Sequence, residues 1–218
     1  FCYLSTYSPH TPLAAPEKFV KPFRDAGLND IHSTYLAMIE NIDYNLGRLM
    51  KFLKDTDREK ETIVIMINDN GVTEGWDVYN ANMRGSKCSA WEGGTRAFSF
   101  WRWPGIWHPK TVGNLTAHLD ILPTLCGLAG AEIPQSVKRN LDGFNLRPVL
   151  ESKKAIKLQP ERILFHHVAR WPSGFAKDHK YSMAGVRQGN HLMLRSHNCG
   201  NKECLKYMSQ CKALQIVE

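Results

Sequence analysis

Asp69 and Asn70 stand just after the apolar run Thr62-Ile63-Val64-Ile65-Met66-Ile67 and lead into Gly71. Ligand sites of open α/β sheets gather at the carboxyl ends of strands, so the pair has the right position for a site. A carboxylate beside an amide carbonyl offers two hard oxygens, which suit Ca²⁺ or Mg²⁺ better than zinc; calcium takes about six to eight oxygens, so most ligands must come from elsewhere. The same three residues also make an ordinary turn. His10 sits between prolines in Pro9-His10-Thr11-Pro12. A stiff backbone there would aim the imidazole at the same sheet edge, where it donates to an anion or shuttles a proton near neutral pH; a solvated loop histidine is the plainer alternative. Lys87, in Arg84-Gly85-Ser86-Lys87, lies in a Gly-rich stretch that lets backbone approach a ligand closely. Its ammonium supplies a point charge and donors for an oxyanion, or is simply one more surface lysine.

These residues need elements to hold them. Residues 2–6 read as a buried strand, ended by Ser8-Pro9-His10-Thr11-Pro12, and Pro16 keeps the chain irregular. A long helix follows, capped by Asp30 or Ser33, with Leu36, Ile39, Ile42, Leu46, Leu49, Met50 and Leu53 on one core-facing stripe. The unbroken apolar run 62–67 marks a strand buried on both faces, as in a parallel sheet covered by helices, and the order helix then strand argues α/β. Residues 71–94 carry no apolar period and read as a long surface loop. Strand character returns at 98–103, and 119–128 is helical up to Gly130. Residues 151–162 resemble a linker. Beyond it, 163–168, 183–187 and 191–195 are short strands, the last two joined in a hairpin through Gln188-Gly189-Asn190. The division that follows is 1–150 for an α/β unit and 151–218 for the linker and a small C-terminal subdomain with antiparallel strands.

Composition narrows the classes. The chain has 218 residues, 43% of them apolar, with a formal net charge of +7. That is globular composition, not disorder. No apolar run approaches the ~20 residues of a membrane span. The basic residues are spread thinly, Lys153, Lys154 and Lys157 being the one cluster, so nucleic acid is disfavoured and a small anion is equally compatible. Trp101, Trp103 and Trp107 read as core residues rather than base-stacking platforms. Cys2 and Cys126 have apolar neighbours that suit buried thiols. Cys199, Cys204 and Cys211 have neither zinc-knuckle nor redox spacing, and a disulfide among them would imply an oxidising compartment.

The order of the motifs carries more than any one of them. Pro9-His10-Thr11-Pro12-Leu13, Tyr35-Leu36-Ala37-Met38-Ile39-Glu40-Asn41-Ile42-Asp43, Gly47-Arg48-Leu49, Asp69-Asn70-Gly71, Arg84-Gly85-Ser86-Lys87 and Glu92-Gly93-Gly94-Thr95-Arg96 run in the succession of the sulfatase family. Trp103-Pro104-Gly105, Asp120-Ile121-Leu122-Pro123-Thr124 and Asp142-Gly143 resemble its later landmarks, and Gly185-Val186-Arg187-Gln188-Gly189 its small C-terminal subdomain. The resemblance implies part of an alkaline-phosphatase-like, mostly parallel sheet flanked by helices. It also implies hydrolysis of a sulfate ester, either a small molecule or a sulfated glycan, in the periplasm, the exterior or the lysosome. Asp69 and Asn70 would be ligands of a divalent metal, usually Ca²⁺ in the family. His10 and Lys87 would contact the sulfate, with leaving-group protonation a further role for either.

The family's nucleophile, a formylglycine made from a Cys-x-Pro/Ala-Ser-Arg motif, has no counterpart here: Cys88 precedes Ser89-Ala90-Trp91 and Cys126 precedes Gly127-Leu128-Ala129. The simplest expectation is a C-terminal portion that needs the N-terminal half of its domain, which would bring the formylglycine, and is inactive alone. Cys88 occupies a position where the family pattern favours glycine, and Ala97-Phe98 replace its usual Val-Pro. The alternatives are a phosphodiesterase or phosphonate monoester hydrolase of the same superfamily, and a non-catalytic remnant that binds sulfated glycans.

Overall fold

The computed structural model describes residues 1–158, 161–168 and 173–195, together with the backbone of 214–217. Cys199, Cys204 and Cys211 lie outside the described residues. In chain order the elements are α1 (Glu17–Asp25), α2 (Asp30–Asp55), β1 (Val64–Ile67), α3 (Glu92–Thr95), β2 (Ser99–Arg102), α4 (Ile121–Ala129), α5 (Gln135–Lys138), α6 (Arg147–Glu151), β3 (Ile163–His167), β4 (Ala184–Gln188), β5 (His191–Arg195) and β6 (Leu214–Val217).

Helix α2 forms where its period places it, but Asn29 caps it: the Asn29 side chain accepts from the His32 N–H at 2.8 Å. Its first half is covered by α1, an element that the sequence reading passes over because Pro16 is read as keeping the chain irregular. Pro16 is instead the N-cap, and Phe19 and Val20 of α1 are buried with Ala37 of α2. The expected core stripe is only partly realised. Leu53 is buried, Leu36, Ile42, Leu46 and Met50 are half-buried, and Ile39 and Leu49 are exposed, so the described residues cover the helix on part of its circumference only.

The run 62–67 becomes β1, paired antiparallel with β2 in the register Val64–Arg102 to Ile67–Ser99. Among the described residues no strand pair is parallel, and β1 is half-buried rather than buried on both faces. Residues 2–6 are not a strand: among the described residues they pair with no other segment, and they are exposed, Cys2 included. Their apolar side chains find no neighbouring strand to complete a ladder or bury a face. Trp101, Trp103 and Trp107 pack on one another, and the Trp103 indole donates to the Lys60 carbonyl at 2.8 Å.

Helix α4 ends on Gly130, whose φ of 66° is the left-handed cap that the sequence signals. Asp120, at its start, is buried, and its two oxygens accept from the Ala117 and Phe144 N–H groups and from the Arg162 guanidinium at 2.5 and 2.8 Å. Thr124 accepts from the Leu146 N–H at 2.9 Å. The Asp120-Ile121-Leu122-Pro123-Thr124 landmark therefore has a structural use here: it pins the turn at 142–145 and ties Arg162, beyond residue 150, to α4. Strands β3 to β6 form an antiparallel sheet in sequential order, with β4 and β5 joined by the two-residue turn Gly189-Asn190 as expected and β6 added at the edge. Alternate residues Leu164, Leu192 and Leu194 are buried on its inner face, while Phe165 and Met193 point outward.

Candidate active site

Beyond β1 the chain is held by its main chain. The Asn68 N–H donates to the Phe98 carbonyl at 3.1 Å, the Asn68 amide to the Asn70 carbonyl at 2.7 Å, and the Gly71 N–H to the Gly94 carbonyl at 3.0 Å. The Lys87 N–H then donates to the Val72 carbonyl at 2.9 Å, so the lysine's backbone lies against the strand-end loop two residues past Asn70. Asp69 is exposed, Asn70 and Lys87 half-buried, and Lys87 has no carboxylate partner among the described residues. Helix α2 supports this rim from below. Tyr35 is buried beside the Thr73 main chain, and desolvation, together with the nearby carboxylates of Glu74 and Asp69, raises its pKa. His32 lies 3.5 Å from the Asp77 carboxylate, a second tie between α2 and the loop.

The second half of the Gly-rich stretch is not the surface loop that its composition predicts. Ser86, Ser89, Ala90, Trp91, Gly93 and Gly94 are buried. The glycines serve close packing of the loop on itself rather than approach to a ligand: a Cβ on Gly71 would lie 1.7 Å from the Gly93 carbonyl oxygen, and one on Gly93 2.0 Å from that of Gly85. Asn80 donates to the Gly85 carbonyl at 2.6 Å, and the Gly93 N–H to that of Arg84 at 2.8 Å. The C-terminal sheet closes over this loop. Ala90 and Trp91 form one cluster with Leu192 and Leu194, the Arg84 guanidinium lies 4.0 Å from the Trp91 ring centroid, and Met183 packs on Cys88. At the edge of the cluster Glu92 accepts from Arg187 of β4. His166, on the same face of the sheet, has its pKa lowered by burial and by the Arg187 charge. Cys88 has a φ of 71°. The left-handed backbone explains why glycine suits this position.

The sulfatase family model covers residues 1–131. The chain belongs to the sulfatase family. It is 31% identical over 171 residues to mouse steryl-sulfatase, 71% of this chain and 27% of that protein, and 30% identical over 187 residues to dog arylsulfatase H, 78% and 31% respectively. The chain thus spans about a third or less of the length of these curated relatives. Among solved structures it is similar to Ps i-CgsB, at a TM-score of 0.73 and 26% identity over 89% of this chain and 41% of that one. It also resembles the PsFucS1 sulfatase from Pseudoalteromonas sp., at 0.64 and 20% over 97% and 38%. The fold is that of the alkaline-phosphatase-like α/β sulfatases, with the small antiparallel C-terminal sheet as its second part.

Within this sulfatase chain the main chain of Lys87 is held two residues past Asn70 by its hydrogen bond to Val72. The contacts of His10 are with its own turn: its ring lies edge-on to Tyr7 at 5.7 Å, and Nδ1 is 2.9 Å from the Thr11 carbonyl oxygen. As donors for the family's divalent cation, Asp69 and Asn70 have the right chemistry, two hard oxygens of which the carboxylate is solvent-accessible, but they supply two of about six to eight ligands. Among the described residues no group of three or more His, Cys, Asp or Glu converges. The pair fits as part of a coordination shell. Residues that sequence reading did not single out do much of the positioning. Tyr35 carried a signal in its helical spacing, whereas the pairing of Glu92 with Arg187, 95 residues apart, had none in the local pattern.

Proposed function

We propose that the protein to which this chain belongs hydrolyses a sulfate ester to an alcohol or phenol and inorganic sulfate, and that Lys87, His10, Asp69 and Asn70 act at the sulfate. The observation that carries the reading is the hydrogen bond from Lys87 to Val72, which sets a lysine without a carboxylate partner beside the Asp69-Asn70 rim in a member of the sulfatase family. The Lys87 ammonium donates to the non-bridging sulfate oxygens and offsets charge that builds there as the ester bond breaks. His10, to which the family resemblance gives the same role, donates to the same group, and one of these two side chains gives the proton that the departing oxygen takes. Asp69 and Asn70 would hold a calcium ion, which when bound draws charge from a sulfate oxygen. The nucleophile, a formylglycine, would come from the N-terminal half of the domain, and this chain alone would be inactive. Relatives named for steryl and aryl sulfates, and a neighbour solved with k-i-k-neocarrahexaose, leave either a small ester or a glycan as the leaving group. Family habit places such a protein in the periplasm, the exterior or the lysosome, and among the described residues no helix is long and apolar enough to cross a membrane.

The test is turnover of an aryl sulfate by the full-length protein after formylglycine formation. Hydrolysis is expected, with Lys87→Ala slowing it by about 10²–10³, the loss typical of one oxyanion donor. No turnover by the metal-loaded protein overturns the proposal, and faster cleavage of a phosphate diester transfers it to the phosphodiesterase alternative.

A further inference from the structure

We infer that the turn-rich residues 177–182, together with Arg195, form a second anion subsite, which receives another sulfate group of a sulfated oligosaccharide; the inference rests on the sulfate-ester reading above. A cavity of about 170 Å³ opens there, lined by Lys177, Asp178, Lys180, Tyr181, Ser182 and Arg195. The lining carries the ammonium groups of Lys177 and Lys180 and one carboxylate, that of Asp178, with the Arg195 guanidinium beside them. Neither Lys177 nor Lys180 forms an ion pair among the described residues, so both ammonium groups are available to an incoming anion.

The lining is held in place. The His167 ring contacts the Lys180 carbonyl at 2.7 Å, the Ser182 N–H donates to the His179 carbonyl at 2.9 Å, and the Val168 N–H to that of Met183 at 3.2 Å. Tyr181 stands 58% exposed with Lys180 Nζ 5.1 Å and Arg195 Cζ 5.9 Å from its ring centroid. An exposed ring flanked by cations offers a flat apolar face for a sugar ring and charge for its substituent. The volume lies below the ~300–1,000 Å³ of sites that enclose a whole small molecule, so the cavity takes one charged unit of a longer ligand.

The cavity is mechanically continuous with the candidate active site. Met183, next to Ser182, has a φ of 49° and packs on Cys88, which adjoins Lys87. A polymer with several sulfates, one of them at Lys87, would therefore place another within reach of this segment.

Isothermal titration of the full-length protein with a polysulfated hexasaccharide, and with the same backbone desulfated, tests this. The sulfated form is expected to bind at least tenfold more tightly. The double variant Lys177→Gln/Lys180→Gln is expected to lose about tenfold in affinity and much of the salt dependence, while aryl sulfate turnover stays unchanged. Unchanged hexasaccharide affinity in that variant overturns the subsite, as does equal binding of the desulfated sugar or of an oligonucleotide of equal charge. The outcomes separate from those of the function proposal. If hexasaccharide binding depends on the two lysines in a protein that turns over no sulfate ester, the subsite stands and the catalytic reading falls.

Discussion

The loop from Gly71 to Arg96 and the β1–β2 ribbon that flanks it are neighbours in sequence and opposites in what covers them. The loop is rich in glycine, serine and asparagine, yet Trp91 is 6% exposed, closed over by Leu192 and Leu194 of the C-terminal sheet. The ribbon is apolar, yet Phe100 is 66% exposed and Ile67 40%. Composition alone ranks the two the other way round. The difference teaches that burial here follows whether a covering element lies within these residues. The C-terminal sheet supplies one for the loop, and among the described residues Phe100 and Ile67 of the ribbon and Ile39 and Leu49 of α2 stay exposed.

The comparison can be broken most forcefully at the polar tie between the two parts of the chain. Asp120→Ala is expected to destabilise the protein by about 3–5 kcal/mol in denaturant titration, because it leaves the Arg162 guanidinium buried without its partner. The double change Asp120→Ala/Arg162→Met should recover part of that loss, and a single-variant loss below 1 kcal/mol would show the pair to be dispensable. Next in size is the contrast between the two apolar sites themselves. Leu194→Ala is expected to cost about 2–5 kcal/mol, whereas Phe100→Ser should move stability by no more than about 0.5 kcal/mol and lower the binding of a hydrophobic dye. Equal costs would mean that the ribbon is covered as well as the loop.

A smaller effect of opposite sign sharpens the backbone side of the comparison. Cys88→Gly should stabilise by about 1 kcal/mol, since the left-handed φ of 71° costs a residue with a Cβ and not glycine. A thermal melt that falls instead would show that the thiol's packing on Met183 outweighs the strain. The smallest effect at neutral pH is that of His166, whose folded-state pKa lies below its ordinary value of 6.5. The unfolded chain then binds more protons than the folded one, so the contribution vanishes above that value and stability falls as pH drops through and below it. Measured between pH 7 and 5, the wild-type protein should lose stability more steeply than His166→Gln; parallel curves would remove the histidine from the account.

Much of the fold was legible in local pattern. The α2 helix, the α4 helix with its Gly130 cap, β1, and the hairpin through Gly189-Asn190 are set by interactions a few residues apart, which spacing and turn chemistry encode. Helix α1 was hidden because Pro16 read as keeping the chain irregular, although a proline at a helix start removes no needed hydrogen bond. Residues 2–6 read as a strand because their side chains suit one, but a strand exists only when another pairs with it. The candidate site divides in the same way. Asp69, Asn70 and Lys87 stood out by type and position, while Tyr35, Glu92 and Arg187, which support the rim or clamp its loop, did not.

The sequence by itself determined the family, through an ordered set of motifs, and the elements whose hydrogen bonds close within a turn or between adjacent strands. Only the tertiary structure decided that the Gly-rich stretch turns inward, that its glycines make room for its own carbonyls, and that Glu92 meets Arg187 across 95 residues. The reason is physical: a helix or hairpin is stabilised by neighbours along the chain, whereas close backbone packing and a half-buried charge pair depend on groups that chain connectivity leaves far apart until the fold brings them together.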